Sequence, residues 1–206
     1  MAGTEHFDQA ASTWDQADRR VALAEAVVTA IAARISLTRD LSVLDFGCGT
    51  GLVTLALAPR VGRISGTDTS PGMLRELATK ANAAGLPVPL LPLAEDGSGP
   101  LGGPYDLSVS SMTLHHVADV PGLLGRLARH LVPGGQVALA DLDAEDGSFH
   151  EAGVAIQHRG FPRHRFQEWL EEAGFAAVHL ETATVTRKEG RDYPVFLATA
   201  RRRALA

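Results

Sequence analysis

The stretch that decides the fold is LDFGCGTG, residues Leu44–Gly51. An apolar run closed by an acid, Asp45, leads into three glycines at alternate positions, Gly47, Gly49 and Gly51. Glycine permits positive φ angles and lets a ligand approach the backbone closely. A helix starting at Gly51 would add free N–H groups and the positive end of its dipole. The stretch therefore predicts a strand, a ligand-binding turn and a helix.

Strands and helices alternate along most of the chain. Apolar spacing and stop signals predict helices over residues ~17–36, 51–58 and ~71–84, one through Leu123–Leu131, and one through Phe166–Ala173. This alternation indicates an α/β fold with a parallel sheet covered by helices on both faces. Residues 143–162 are expected to be irregular, and the last two strands to pair antiparallel. The predicted strands are Ser42–Gly47, Arg63–Asp68, Val88–Leu93 (weakened by proline and near an edge), Tyr105–Ser111, Gln136–Leu142, Ala177–Arg187 and Pro194–Ala200.

Size and composition fit one domain over residues 1–206, with an N-terminal helical arm (1–36), a core (37–142) and a further segment (143–206). The net charge of −5 disfavours nucleic acid as the default partner. A single cysteine, Cys48, allows no internal disulfide. A polar N-terminus and the lack of a long apolar run predict a cytoplasmic protein with no membrane partner.

The spacing of the glycines restricts the ligand. Dinucleotide-binding folds use G-x-G-x-x-G, whereas here the spacing is G-x-G-x-G and Leu52 occupies the sixth position. Asp45 would repel a pyrophosphate and attract an ammonium group. A second acid, Asp68, ends the next strand, where a carboxylate accepts hydrogen bonds from ribose hydroxyls. A nucleoside joined to a zwitterionic amino acid without phosphates fits best, and S-adenosylmethionine has that description.

Four motifs strengthen this interpretation: VLDFGCGTG, GTDTSPGML, YDLSVSSMTLHHV and LVPGGQVALAD. Together they resemble the successive motifs of class I S-adenosylmethionine-dependent methyltransferases, most closely the ubiquinone-biosynthesis-like (type 11/12) branch that acts on small molecules. The resemblance covers residues 7–200. It implies a Rossmann-like, doubly wound, seven-stranded sheet with the last strand antiparallel. It also implies methyl transfer from S-adenosylmethionine to a small-molecule acceptor.

The resemblance also implies roles for single residues. Asp45 would face the methionine amino group, Asp68 would bind ribose, and Thr69 and Met73 would lie beside adenine. Pro92 stands where the family often has an acid near the adenine amino group, so Glu95 or Asp96 substitutes for it or no acid does. The predicted cofactor-binding residues are Trp14, Arg19, Asp45, Gly47, Cys48, Gly49, Gly51, Asp68, Thr69, Met73, Leu93, Ala94, Glu95, Ser110 and Met112. For Met73, packing in the core is the alternative, and Cys48 is expected to be a small apolar filler.

Histidines are the candidates for accepting a proton from a hydroxyl or enol acceptor. His115 and His116 follow the fourth predicted strand, and His150 and His158 lie in the irregular segment. For His115 and His116 the alternative is simple packing or a hydrogen bond to the backbone. The three histidines in or beside the irregular segment, His150, His158 and His164, include no close ligand pair and no thiolate, so no metal site is predicted.

The N-terminal arm is expected to fold over the cofactor. Trp14 would cover the sulfonium and Arg19 or Arg20 would reach the carboxylate, the alternative being that Trp14 only packs the arm. Ser110–Thr113 replace the Asn- or Asp-Pro-Pro-aromatic motif of enzymes that methylate nucleic-acid amines, which favours a small acceptor. Two other functions fit less well: a non-catalytic module that binds S-adenosylmethionine or S-adenosylhomocysteine, and a nicotinamide oxidoreductase.

Overall fold

Seven strands form one sheet in the computed structural model, which describes residues 4–150 and 154–204. Their order across the sheet is β3-β2-β1-β4-β5-β7-β6. Strands β1 to β5 run parallel to one another, whereas β7 is antiparallel to both β5 and β6. The predicted fold class is therefore confirmed, and β3 lies at an edge as expected. The strands are β1 (Ser42–Phe46), β2 (Arg63–Asp68), β3 (Leu90–Pro92), β4 (Tyr105–Ser111), β5 (Leu131–Leu142), β6 (Phe175–Lys188) and β7 (Arg191–Arg202).

The helices begin at residues with recognisable capping chemistry. The Ser70 hydroxyl accepts from the Met73 N–H at 3.1 Å, and Pro71 follows as the first residue of its helix. The Asp119 carboxylate does the same for the Gly122 N–H at 2.9 Å. The helices are α1 (Thr4–Ala10), α2 (Asp18–Arg34), α3 (Leu52–Leu57), α4 (Pro71–Ala83), α5 (Val120–His130) and α6 (Arg163–Glu172), with 3-10 turns at Ala11–Gln16, Ala58–Arg60 and Leu114–His116.

Apolar side chains cover both faces of the sheet. Leu124 of α5 and Phe166 of α6 are fully buried on one face, and Val27 and Ile31 of α2 are fully buried on the other. Both layers pack against strands that are buried along most of their length, as a parallel sheet requires. This packing fixes the carboxyl ends of β1, β2, β4 and β5 relative to one another.

Strands β3, β5, β6 and β7 differ in length from the prediction. Strand β5 begins at Leu131 instead of Gln136, because Leu131 pairs with Tyr105 before a register shift places Gln136 opposite Leu107. The glycines of VPGG lie within this irregular part of the pairing, so β5 continues through them instead of beginning after them. Strands β6 and β7 are longer than predicted because they pair with each other, and β3 is only three residues long.

No helix in the described ranges has both the length and the apolar character that crossing a bilayer requires.

Candidate active site

A cavity of about 270 Å³ opens at the carboxyl ends of β1, β2 and β4, where the strand order reverses. Parallel α/β sheets bind ligands at this position. The N-terminal arm and the segment after β5 close its other sides. The predicted site residues that line it are Trp14, Arg19, Asp45, Gly47, Cys48, Gly49, Asp68, Thr69, Met73, Met112, His115, His116 and His150.

The glycine turn needs its glycines for two different reasons. At Gly47, φ is +71° and a Cβ atom would lie 2.1 Å from Cγ2 of Thr113, so the close neighbour is the protein itself. At Gly49, φ is +53°, and among the described residues no atom lies within 4 Å of a Cβ built there. The loop is therefore packed from below at Gly47 and open to the cavity at Gly49. Gly51 does not line the cavity, because it lies beneath the loop as the left-handed N-cap of α3.

Asp68 at the end of β2 holds the glycine turn in place. One carboxylate oxygen accepts from the Gly49 N–H at 2.9 Å and the other from the Ser70 N–H at 2.9 Å. Burial raises the pKa of Asp68, and the backbone N–H groups of Ser70, Gly49 and Thr69 act in the opposite direction. A carboxylate has about four acceptor positions, so about two remain for a ligand in the cavity.

Asp45 at the end of β1 lies deeper than Asp68. Its side chain is 1% exposed and accepts from the Thr54 hydroxyl at 2.6 Å. Burial raises the pKa of Asp45 to about 7, the Thr54 hydrogen bond opposes the increase, and the nearby Asp68 adds to it. Above about pH 7 the ionised carboxylate of Asp45 is therefore buried at an energetic cost, and a cation bound in the cavity would stabilise it.

We expect Asp45→Asn to stabilise the ligand-free protein more at pH 8 than at pH 5. The folded-state pKa of about 7 lies above the usual aspartate value of 3.8, so the stability that this group contributes is fully present only below about pH 4 and is lost as the pH rises to about 7. Three pKa units correspond to about 4 kcal/mol as an upper bound. Differential scanning fluorimetry should show a melting temperature at least about 3 °C higher at pH 8.

Asp40→Asn, at an exposed position, is the matched control and should leave the melting temperature unchanged at both pH values. A lower melting temperature for Asp45→Asn at pH 8 would contradict the assigned charge state.

Besides Gly51, four predicted cofactor residues do not line the cavity. Leu93 is buried in the apolar core, and the Ser110 hydroxyl donates to the Phe46 carbonyl at 2.7 Å inside the sheet. Ala94 closes a turn with Ser98, and the carboxylate of Glu95 accepts from Thr4 at 3.2 Å at the mouth of the arm. The chain turns away from the cavity directly after β3, because that strand ends at Pro92. The structure does not bring these four residues to the cavity, and a role for them in cofactor binding stays a prediction.

The N-terminal arm is fastened to the core by two carboxylates. Asp8 accepts from the Ser70 hydroxyl at 2.6 Å and from the Gly72 N–H at 2.7 Å, at the N-terminus of α4. Asp15 accepts from the Thr50 hydroxyl at 2.5 Å on the glycine turn. These bonds place Phe7 and Trp14 in the wall of the cavity.

Trp14 already has a cation against its ring. The guanidinium of Arg20 lies 3.6 Å from the ring centroid and donates to the Trp14 carbonyl at 3.1 Å. The expected contact with a sulfonium must therefore use the remaining surface of the indole. Arg19 points elsewhere, over the ring of Phe149 at 5.2 Å, beside His150 rather than beside the glycine turn.

A chain of hydrogen bonds runs from β5 into the segment after it. Asp141 is fully buried, and its carboxylate contacts Nδ1 of His115 at 2.7 Å. Nε2 of His115 lies 3.0 Å from Nε2 of His150. Burial acts to raise the pKa of Asp141, but the neighbouring His115 and the Leu142 N–H outweigh it and hold that pKa below its usual value. Asp141 is therefore a buried anion that orients His115.

His116 lies beside this chain, 4.1 Å from His115 between ring centroids. Its Nδ1 is 3.1 Å from the Ala155 carbonyl, and the ring of Phe7 packs edge-on against it. Burial, with a smaller contribution from His115, lowers the pKa of His116 to about 3. The same two causes lower the pKa of His150 to about 4, so both rings are neutral at pH 7.

The segment after β5 delivers His150 through several anchors. Phe149 packs against Tyr193 at 5.1 Å between centroids, and Lys188 donates to the Phe149 carbonyl at 2.8 Å. His158 is outside the cavity lining: its Nε2 lies 2.9 Å from the Val117 carbonyl, and its ring packs beside Phe161. The structure therefore does not bring His158 into the cavity with the other histidines.

Two residues at the site, Asp141 and Lys188, were not predicted from the sequence. Asp141 follows the same rule as Asp45 and Asp68, since all three acids lie at the carboxyl ends of buried parallel strands, and that signal could have identified it. Lys188 lies at the far end of β6 and had no local signal, because only pairing with β7 brings it beside Phe149.

A family model described as "Methyltransferase domain" matches residues 15–180. The chain belongs to this methyltransferase family. Its resemblance to class I methyltransferases is thereby confirmed, and the matched range contains the glycine turn, both strand-tip acids and the histidine chain.

Curated relatives support the same family. The bifunctional biotin biosynthesis protein BioCD of Bordetella avium is 37% identical over 74% of this chain and 33% of its own length. A ubiquinone biosynthesis O-methyltransferase of Xylella fastidiosa is 27% identical over 77% of this chain and 69% of its own length. The chain spans a third to about half of the length of the first curated relatives that it matches, at 33%, 48% and 47%.

Among solved structures, the magnesium protoporphyrin IX methyltransferase of Synechocystis PCC 6803 with bound S-adenosylmethionine superposes with a TM-score of 0.65. It is 20% identical, and the match covers 89% of this chain and 80% of that one. At this identity the match supports the fold alone.

Proposed function

We propose that this methyltransferase uses S-adenosylmethionine to methylate a small-molecule acceptor by direct in-line displacement, with histidine accepting the acceptor's proton. The observation that carries the proposal is the pair of acids, Asp45 and Asp68, on either side of a glycine turn that is open at Gly49. This arrangement favours a ligand with a positive end and hydroxyl groups over one with phosphates.

The donor fits the cavity group by group. The two acceptor positions left on Asp68 match the two ribose hydroxyls of an adenosyl group. The methionine ammonium would relieve the unfavourable charge of Asp45, and its carboxylate would meet the N–H groups of the glycine turn. Thr69 and Met73 are in the wall beside Asp68, where adenine would lie. The related fold of the Synechocystis enzyme, whose structure contains S-adenosylmethionine, supports the same assignment.

Proton removal can use the histidine chain. Asp141 accepts from Nδ1–H of His115, so Nε2 of His115 carries a lone pair and Nε2–H of His150 donates to it. Nδ1 of His150 then carries a lone pair, and this buried atom has no hydrogen-bond partner among the described residues. We assign it to the acceptor: it takes the acceptor's proton while Nε2–H of His150 passes its own proton to His115. The resulting imidazolium is paired with Asp141.

The bonds in the transfer step balance. The acceptor's lone pair forms a bond to the methyl carbon as the carbon–sulfur bond breaks, and the sulfur keeps that electron pair. The products are S-adenosylhomocysteine, the methylated acceptor and a proton held on His115. The protein's contribution is alignment and proton transfer, since the donor is already activated. A module that only binds the donor would have no use for this buried chain of histidines.

The acceptor side of the cavity favours a small and polarisable molecule. Phe7 and Phe149 supply apolar walls, while Arg19 and Lys188 lie on the side of His150. The relatives named for biotin and ubiquinone biosynthesis act in small-molecule pathways, which supports the same class of acceptor. The arm would open to admit the donor and close to exclude water, and the proposed location is the cytoplasm.

Calorimetric titration tests the choice of cofactor. We expect S-adenosylhomocysteine to bind with one-to-one stoichiometry and NADH to give no heat of binding. A crystal structure of the S-adenosylhomocysteine complex should then show ribose on Asp68. Binding of NADH instead would overturn the proposal. Pools of small metabolites incubated with labelled S-adenosylmethionine would identify the acceptor by the transferred label.

A further inference from the structure

Three histidine rings bring one nitrogen each close together, those of His115, His116 and His150. These three atoms lie within 4.8 Å of one another, and two of them are 3.0 Å apart. His115 and His116 are buried and His150 is partly buried, so the cluster is shielded from bulk water and faces the cavity. The spacing along the chain gave no indication of this, because His150 joins the other two only through the fold.

The surroundings of two rings fix which nitrogen faces the cluster. The Asp141 carboxylate holds Nδ1–H of His115, and the Ala155 carbonyl accepts from Nδ1–H of His116. Each ring therefore turns an unprotonated Nε2 away from its partner. A histidine held by a carboxylate or carbonyl at one nitrogen and free to coordinate at the other is the usual arrangement around protein-bound metals.

We infer that Nε2 of His115, Nε2 of His116 and a ring nitrogen of His150 form a binding site for one divalent transition-metal ion of the zinc class. The ion would take the place of the proton that His115 and His150 share. Three imidazoles leave a fourth coordination position open towards the cavity. Neutral nitrogen ligands suit Zn²⁺, Co²⁺ or Ni²⁺ and do not suit Mg²⁺ or Ca²⁺, which require oxygen.

The required movement is small. Zinc–nitrogen bonds of 2.0–2.1 Å in a tetrahedron place two ligand atoms about 3.3 Å apart, close to the 3.0 Å between His115 and His150. The nitrogen of His116 must move roughly an ångström closer to the other two nitrogens, and rotation of the His150 ring can provide part of that movement. The buried anion Asp141 favours a cation here, whereas Arg19 and Lys188 near His150 oppose it, so the affinity depends on the imidazoles.

Metal binding and proton transfer exclude each other at this site. Both need the lone pair on Nε2 of His115, so a bound ion blocks the transfer of the proton from His150 to His115. This consequence rests on the proposed function, but the binding itself does not. We therefore expect the metal-free protein to be the form in which the histidine chain works, and zinc to inhibit it.

Cobalt substitution tests the site without any turnover assay. The full chain, treated with a chelator and then dialysed, is titrated with Co²⁺ and followed by visible absorption, and the complex is then displaced with Zn²⁺. We expect a one-to-one complex whose ligand-field bands indicate four- or five-coordination. His150→Ala and His150→Gln should each weaken Co²⁺ binding at least about 100-fold, because losing a ligand costs more than the roughly 10- to 100-fold that losing a hydrogen-bond partner of a ligand costs.

His158→Ala is the matched control, because that ring lies on the same segment but bonds to the Val117 carbonyl. It should leave Co²⁺ binding unchanged. Thermal melts of all variants confirm that they are folded, and His150→Gln keeps the test valid if the alanine variant unfolds. The assignment is wrong if the wild-type chain binds neither ion, or if His158→Ala weakens binding as much as the His150 variants do.

Turnover measurements separate the two claims. Inhibition by stoichiometric Zn²⁺ that a chelator reverses would support the exclusion of proton transfer by the metal. Full turnover with Zn²⁺ bound would overturn that exclusion, while the cobalt spectrum would still support the site. A chain that binds Co²⁺ as expected but never consumes S-adenosylmethionine would overturn the proposed function alone.

Discussion

Asp141→Asn is expected to lower kcat about 100- to 10,000-fold while leaving the affinity for S-adenosylhomocysteine within about twofold. That range is what positioned proton transfer contributes in enzymes. In the proposed mechanism Asp141 does not touch the acceptor: it would fix the tautomer of His115 and stabilise the imidazolium formed there. An amide at this position loses the charge. Its NH₂ group must face either the His115 ring and the Leu142 N–H, which share one carboxylate oxygen, or the backbone N–H of His115 on the other oxygen.

The readout must distinguish a positioning role from a merely structural one. Formation of S-adenosylhomocysteine from the identified acceptor gives kcat and KM separately, and ¹⁵N NMR of the imidazoles reports the tautomer of His115. We expect kcat to fall with KM nearly unchanged and the His115 tautomer signal to move. His164→Ala, exposed on α6, should have no effect on any of these measurements. Loss of cofactor affinity together with kcat, in a protein that melts early, would reduce Asp141 to a structural residue.

The succession of strands and helices along the chain and the two acids at the strand ends could be predicted because their signals are local. Asp45 and Asp68 each follow an apolar run directly and precede a turn, so the pattern of a few residues places both at strand tips. Parallel pairing of β1 with β2 then brings them together without further information. The glycine spacing was similarly informative, since backbone conformation at Gly47 and Gly51 is a local property.

The histidine chain could not be predicted because its members meet only through the fold. Asp141 and His115 are 26 residues apart, and His115 and His150 are 35 apart. Their contact depends on β4 lying beside β5 and on the path of an irregular segment. The arm shows the same limit, because Asp8 reaches a helix N-terminus 64 residues away. Composition and periodicity carry no information about such encounters.

The adenine side shows how a family pattern can mislead when one residue changes. Glu95 was a candidate because Pro92 occupies the position where relatives often carry an acid. A proline at the end of a three-residue edge strand ends the pairing, and the next residues turn outward to meet the arm at Thr4. The acid nearest in sequence therefore does not line the cavity, although it bonds to Thr4 at its wall. Adenine recognition in this chain would depend on packing by Met73 and on Thr69.

Asp68→Ala is expected to weaken the binding of S-adenosylhomocysteine about 10- to 100-fold, equivalent to 1–3 kcal/mol for hydrogen bonds lost to a charged acceptor. Two effects contribute. The ribose hydroxyls lose their acceptor, and the N–H groups of Gly49 and Ser70 lose the carboxylate that holds the turn. Calorimetric titration measures the sum, and a thermal melt without ligand measures the second effect alone.

Asp68→Asn separates the two effects more sharply than alanine does. Both oxygens of Asp68 accept from backbone N–H groups, so an asparagine of nearly the same shape must turn its NH₂ group towards one of those donors. We therefore expect Asp68→Asn to bind S-adenosylhomocysteine at least as weakly as Asp68→Ala, although it retains one acceptor. Asp40→Ala, exposed and distant, should bind normally. Normal affinity in Asp68→Asn would mean that the carboxylate does not organise the turn, and normal affinity in both variants would remove ribose from Asp68.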